Sequence, residues 1–163
     1  MIYLIVSVFF DMIFSNMISL SFQNISYLFP LFFISSIPIC FLIIKNKKVF
    51  FCAIGLFGIL YDLLYSDVVL INFYYVILYG LFIYIYYFNR KVSFFNIVSI
   101  SLFGFILYDF YICVVLIFIN YSSFSIYDIF YKNLHSLIIN LIYIILSIYI
   151  FRSRIFGYKK IYK

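Results

Sequence analysis

Gly55-Leu-Phe-Gly58-Ile-Leu-Tyr-Asp62-Leu-Leu-Tyr-Ser66-Asp67 is an apolar run with a carboxylate inside it. Gly55, Gly58, Asp62 and Ser66 are spaced three, four and four residues apart. On a helix that spacing puts them on one stripe. A carboxylate at the centre of a bilayer costs about 2.5–3.5 kcal/mol on insertion scales, so Asp62 is expected to face protein or water and not lipid. The small residues on the same stripe let a second helix approach closely. The expectation is a seam against which the other membrane helices, and a partner, are arranged.

The rest of the chain has the same character. It has 163 residues, 69% hydrophobic and 10% charged, with a mean hydropathy of +1.23. A soluble domain of this size needs more polar surface than that to cover itself. Long apolar runs separated by short charged clusters indicate an all-α, polytopic membrane protein, residues 1–163 forming one integral membrane domain. The first residues lack a basic leader region and a small-residue cleavage site, so the first segment is expected to be a retained helix. Six segments are expected as three hairpins, at about 2–22, 27–44, 49–65, 69–88, 92–119 and 133–151. Pro30 falls near the start of the second, and Pro38 further in is expected to kink it. The connection 120–132 is the longest. The net charge of +6 comes from clusters at Lys45–Lys48, Arg90–Lys91 and the tail from Arg152. By the positive-inside rule these connections and both termini are cytoplasmic, and the charge serves topology, with no nucleic-acid partner implied.

Polar residues recur in stripes. Ser7, Asp11, Ser15 and Ser19 share a face of the first segment; Ser101, Phe105, Asp109 and Cys113 share one in the fifth; Ser136, Asn140, Tyr143 and Ser147 line the sixth. The segments also echo one another. LFGILYD from Leu56 resembles LFGFILYD from Leu102, and FFDMIFSN from Phe9 is a fainter copy of LYDLLYSD from Leu60. Asp11, Asp62 and Asp109 thus occur once per hairpin, which suggests three repeated units, each led by a helix with one buried aspartate.

Three intramembrane carboxylates admit a proton relay or a cation site. The simpler alternative is a set of buried helix contacts, satisfied by hydroxyl, amide and backbone groups, since the chain has no Glu and no Lys or Arg inside a span. Cys40, Cys52 and Cys113 have neither a paired spacing nor a C-x-x-C pattern, and His135 stands alone, so no metal site or cofactor is expected. No phosphate-binding, zincin or nucleophile-elbow motif occurs, and no Ser has a base beside it. The chain is therefore not expected to be an enzyme.

The segment Gly58-x-x-x-Asp62-x-x-x-Ser66, late in a central helix and followed by a short turn and another apolar helix, resembles the signature of the bacterial rod shape-determining protein MreD family. The likeness covers Pro30 to Arg154 in layout, with basic loops at Lys45–Lys48 and Arg90–Lys91, and Gly58 to Asn72 in residues. Many members have a glycine shortly after the signature; here Val69-Leu70 stands there. The resemblance implies a bundle like that of the S components of energy-coupling-factor transporters. It also implies a multi-pass protein of the bacterial inner membrane, a non-enzymatic scaffold acting with MreC and other elongation-complex proteins in peptidoglycan synthesis and cell shape. On that analogy Gly55, Gly58, Asp62, Ser66, Asp11 and Asp109 are packing or partner-contact positions among membrane lipid. The competing reading is a vitamin-binding S component, which needs a roomy pocket with convergent polar groups near the outer face.

Overall fold

The computed structural model describes residues 2–21, 31–65, 70–88, 92–118 and 126–156, with backbone alone for 15–21, 65, 116 and 126–135. Among them every element is a helix. The order is α1 (Ile2–Ser21), α2 (Phe32–Ile43), α3 (Lys47–Tyr65), α4 (Ile71–Phe88), α5 (Phe94–Phe118), α6 (Ile126–Ile150) and the short α7 (Arg152–Phe156). Expected and observed bounds agree within a few residues for α1, α3, α4 and α5. α6 begins earlier than expected, inside the stretch read as a connection, and α7 is an addition. Pro30, Ser66, Asp67, Arg90, Lys91 and the tail lysines lie outside the described residues. So do the side chains of Ser15, Ser19, Asp128, Lys132 and His135.

The centre of the bundle is α2. A helix that is apolar all round is buried all round, and Phe32 to Phe41 are buried without a break. Pro38 sits within this helix. Around it pack α1, α5, α6, α4 and α3, with α7 at its C-terminal end. At 12 residues α2 is about 18 Å long, well short of a ~30 Å hydrocarbon layer. Its C-terminus is held by Lys47, whose Nζ donates to the carbonyls of Phe41 (2.8 Å) and Ile44 (3.3 Å). A cation there complements the negative end of the helix.

The expectation that the Gly55–Asp62 stripe organises the whole bundle is therefore corrected. That stripe closes one hairpin, α3 on α4. A Cβ on Gly58 would stand 3.0 Å from the Cα of Phe73, and one on Gly55 would stand 3.4 Å from the Phe73 ring. The α3–α4 turn ends at Leu70, which has φ 73°, in the left-handed region that favours glycine. This is the stretch where the MreD-like pattern has its glycine. On the other face of α4, Tyr75 donates to the carbonyl of Gly104 and Tyr79 to that of Ile100 (2.8 Å), pinning α4 to α5 turn by turn. Gly104 has no side chain because the Tyr79 ring occupies its place.

Polarity runs inside out. Ser7, Asp11, Ser35, Asp62, Asn72, Ser101, Ser136, Asn140 and Ser147 are buried, while Ile2, Leu63, Ile85, Phe95, Phe110 and Tyr149 are each more than 65% exposed. Two helical stretches, Ile71–Phe88 and Phe94–Val115, are long and apolar enough to cross a membrane; Ile2–Phe14, Phe32–Ile43 and Ser136–Ile150 are shorter apolar stretches. The N-terminus of α1 and the C-termini of α2 and α6 meet at one end, where Ile2, Ile44 and Phe151 surround a common groove. Tyr87 of α4 stacks on Phe41 near that end and Tyr84 meets the same ring edge-on, and Ile97 of α5 joins Ile39 and Ile155 there.

Two substitutions test this packing. Leu70→Gly is expected to raise stability by about 1 kcal/mol, because a left-handed non-glycine residue costs roughly 1–2 kcal/mol. Gly58→Ala is expected to cost about 1–3 kcal/mol by forcing backbones apart, whereas Gly55→Ala meets ordinary contacts and is expected to be neutral or stabilising. Unfolding of the three variants in detergent micelles, followed by circular dichroism, measures each difference.

Candidate functional site

The first backbone N–H groups of a helix have no partner within the helix. The start of α2 makes this acute, because it is sealed inside the bundle. Three successive amides are satisfied there by side chains from other helices. The Leu31 N–H donates to Asn140 Oδ1 of α6 (3.1 Å). The Phe32 and Phe33 N–H groups donate to the two carboxylate oxygens of Asp11 on α1, at 2.7 and 2.9 Å. A carboxylate at this place also meets the positive end of the helix. Asn140 is held in turn by its own Nδ2–H to the Ser136 carbonyl (2.9 Å) and accepts from Ser35 Oγ at 3.4 Å. The Tyr61 hydroxyl of α3 also donates to Asp11. Thus α1, α3 and α6 converge on one helix start.

The same joint recurs at α4. The Asn72 and Phe73 N–H groups donate to the two oxygens of Asp62, at 2.8 and 2.9 Å. The Asn72 side chain then accepts from the Tyr108 hydroxyl of α5 at 2.6 Å, and Tyr111 donates to the Ile71 carbonyl at 3.3 Å. The sequence echo therefore has a physical counterpart in two of its three copies. In each, an aspartate on the leading helix clamps the first amides of the trailing helix. The tyrosine just before the next aspartate reaches back to that clamp: Tyr61 to the first, Tyr108 to the second.

Asp11 and Asp62 are fully buried, at 1% and 2% exposure. Asp109 is half-buried on α5 and holds neither helix start; it stands within Coulombic reach of Tyr75 and Tyr108. The Tyr108 hydroxyl is also within Coulombic reach of Asp11 and Asp62. Gly55 and Gly58 lie on the same face of α3 as Asp62 and give α4 room to reach it. Ser66 lies outside the described residues.

Chemically, this arrangement is a set of anchors. Both oxygens of Asp11 and both of Asp62 accept backbone N–H bonds, which fixes each carboxylate against a helix start. Among the described residues no group of three His, Cys, Asp or Glu side chains gathers. The partners that sequence reasoning did not single out are Tyr61 and Tyr108. Both were visible as the residue preceding aspartate in two copies of the repeat. No family model matches the chain, and neither a curated protein nor a solved structure matches it.

Removing a clamp orphans two buried amides, at roughly 1–3 kcal/mol each. Asp11→Ala and Asp62→Ala are each expected to destabilise the fold by that sum, and Asp11→Asn, which keeps one acceptor, by less. Amide exchange is expected to speed up at Phe32 and Phe33 in the first variant and at Asn72 and Phe73 in the second. Tyr61→Phe is expected to cost about 1 kcal/mol and to be non-additive with Asp11→Ala.

Proposed function

We propose that the chain is a multi-pass membrane protein that works as a non-enzymatic scaffold for other membrane proteins. The observation that carries this is the inverted polarity: hydroxyl, amide and carboxylate groups turn inward, and the exposed surface is rich in Phe, Ile, Leu and Tyr from α1, α3, α4, α5 and α6. A surface of that kind is costly in water and unremarkable in lipid. Asp11, Asp62, Asn72 and Asn140 bond to backbone and to side chains of other helices, holding the bundle together, and the groove found among the described residues has mainly apolar walls. That favours a scaffold over a ligand-binding transporter subunit.

Topology follows from where the cations sit. Lys45, Lys47, Lys48, Arg152 and Arg154 are grouped at one end, and the connection carrying Arg90 and Lys91 joins Phe88 and Val92, helix ends on the same side. With that end cytoplasmic, six crossings in three hairpins place both termini inside.

Within this class we assign the chain to the MreD type, on the Gly58–Asp62–Ser66 signature. Its partners are an MreC-like protein and the elongation complex of a bacterial inner membrane. In this reading Gly58 and Asp62 shape the hairpin, and the exposed outer faces of α3 and α5 are where partner helices lie.

Reporter fusions check the topology: alkaline phosphatase is expected to be inactive when joined after Lys48 or Arg154 and active after Ser66. Deletion of the gene in the native host is expected to round the cells, and the tagged protein is expected to retain an MreC-like protein on purification. Rod-shaped cells lacking the gene would refute the assignment.

A further inference from the structure

The groove at the basic end belongs to none of the joints described above. It measures about 720 Å³ and runs between α1 and α6 over the C-terminal half of α2. Ile2, Val6 and Phe10, at four-residue spacing, form one apolar wall about 12 Å long. Ile150 and Phe151 stand opposite, and Cys40 and Ile43 form the back. The floor is a bridge between the two walls. Ser7 Oγ and Tyr143 Oη are 2.7 Å apart, and the Tyr3 ring lies against Tyr143 and, edge-on at 4.8 Å, against Phe151. α1 and α6 are thus tied at the floor and leave the space above it open.

Polarity along the groove is graded. Phe10 ends it on the side away from the cations. Arg154, exposed on α7, closes the other end beside Ser153. The described carboxylates, Asp11, Asp62 and Asp109, stand elsewhere on α1, α3 and α5, and among the groove's described lining residues Arg154 carries the formal charge. α7 holds that charge in position by burying Ile155 against Ile39 and Ile97.

We infer that this groove binds one anionic phospholipid, its phosphate on Arg154 and Ser153 and an acyl chain along Ile2, Val6 and Phe10. The inference rests on the membrane reading and is independent of the scaffold assignment. An arginine fork matches phosphate oxygens with paired hydrogen bonds. A basic pocket between helices on the cytoplasmic side is a site where acidic headgroups collect. A positive charge at the rim, with apolar walls leading away from it, fits an amphiphile with an acidic head.

The test is native mass spectrometry of the full chain in mild detergent, titrated with phosphatidylglycerol and with phosphatidylcholine of the same acyl chains. One phosphatidylglycerol is expected to be retained, preferred about tenfold. Arg154→Gln, a surface change, is expected to abolish the preference; Arg152→Gln, outside the groove, is expected to keep it. Val6→Trp, which fills the groove, is expected to lose both lipids. Equal retention of the two lipids, an unaltered preference in Arg154→Gln, or a lipid-free dimer joined through this face would overturn the site. Alkaline carbonate extraction separates the two readings: a chain that stays in the membrane pellet but shows no lipid preference refutes the lipid site alone, whereas a chain released into the supernatant refutes the membrane reading and the site with it.

Discussion

Two carboxylates bonded to four backbone amides hold this fold together. α2 and α4 both begin inside the bundle, where water cannot satisfy their first N–H groups and where each unsatisfied group costs free energy. Asp11 and Asp62 solve this with two oxygens apiece. Because each aspartate sits on the preceding helix, satisfying the amides also fixes where the two helices of a hairpin meet. The spacing along the chain differs widely, 21 residues in one hairpin and 10 in the other. The joint is therefore set by the carboxylate and the helix start, and is indifferent to the length of chain between them.

That independence explains what could be read from the residues and what could not. The helical class, the hairpins of α3–α4 and the inward stripes containing Ser7, Asp11, Ser101, Asn140 and Ser147 followed from spacing, a local property. The sheltering of Asp62 followed from the cost of placing it in lipid. The start of α2 did not follow, because it is set by Asn140 and Asp11, residues distant in sequence. Nor did the central position of α2, although its lack of any polar face was a signal that it would be surrounded. The early start of α6 was hidden by the serines and asparagine at 120–125, which favour turns. Yet Ile126, Ile129 and Phe130 recur at helical spacing, and Asp128 and Lys132 fall four apart. Local turn chemistry was weighed there against periodicity, and periodicity was the stronger determinant.

The tyrosines link one joint to the next. Tyr61 donates to Asp11 from the following hairpin, and Tyr108 to Asn72 from the hairpin after that. A hydroxyl suits this position because its ring packs as an apolar body while its tip carries one directed donor. The ring of Tyr61 stacks on Phe33, the residue whose amide Asp11 holds, with centroids 5.2 Å apart. A single side chain thereby packs against the first turn of α2 and hydrogen-bonds to the group that caps it. Asn140 completes the arrangement from α6, so the first and last long helices meet at the same point as the first and second hairpins.

A core built this way commits Asp11 and Asp62 to helix starts, and that bears on where function can reside. Moving Asp11 or Asp62 off its amides would orphan two N–H groups, so a large displacement of either carboxylate is costly. The same argument does not restrain the outer surface. Leu63, Phe95, Phe110 and Tyr149 are exposed and take part in no joint, and α7 stands at the basic end with Arg154 free of the carboxylate network. Side chains at those positions can vary while the joints stay fixed. The left-handed Leu70 fits this division. Its backbone cost falls on the turn that leads into the Asp62 clamp, where the two N–H bonds to the carboxylate and the Leu70 carbonyl bond to Tyr74 at 3.1 Å compensate for it. Strain in this molecule is thus placed where the backbone is most firmly held, away from the surface that meets its surroundings.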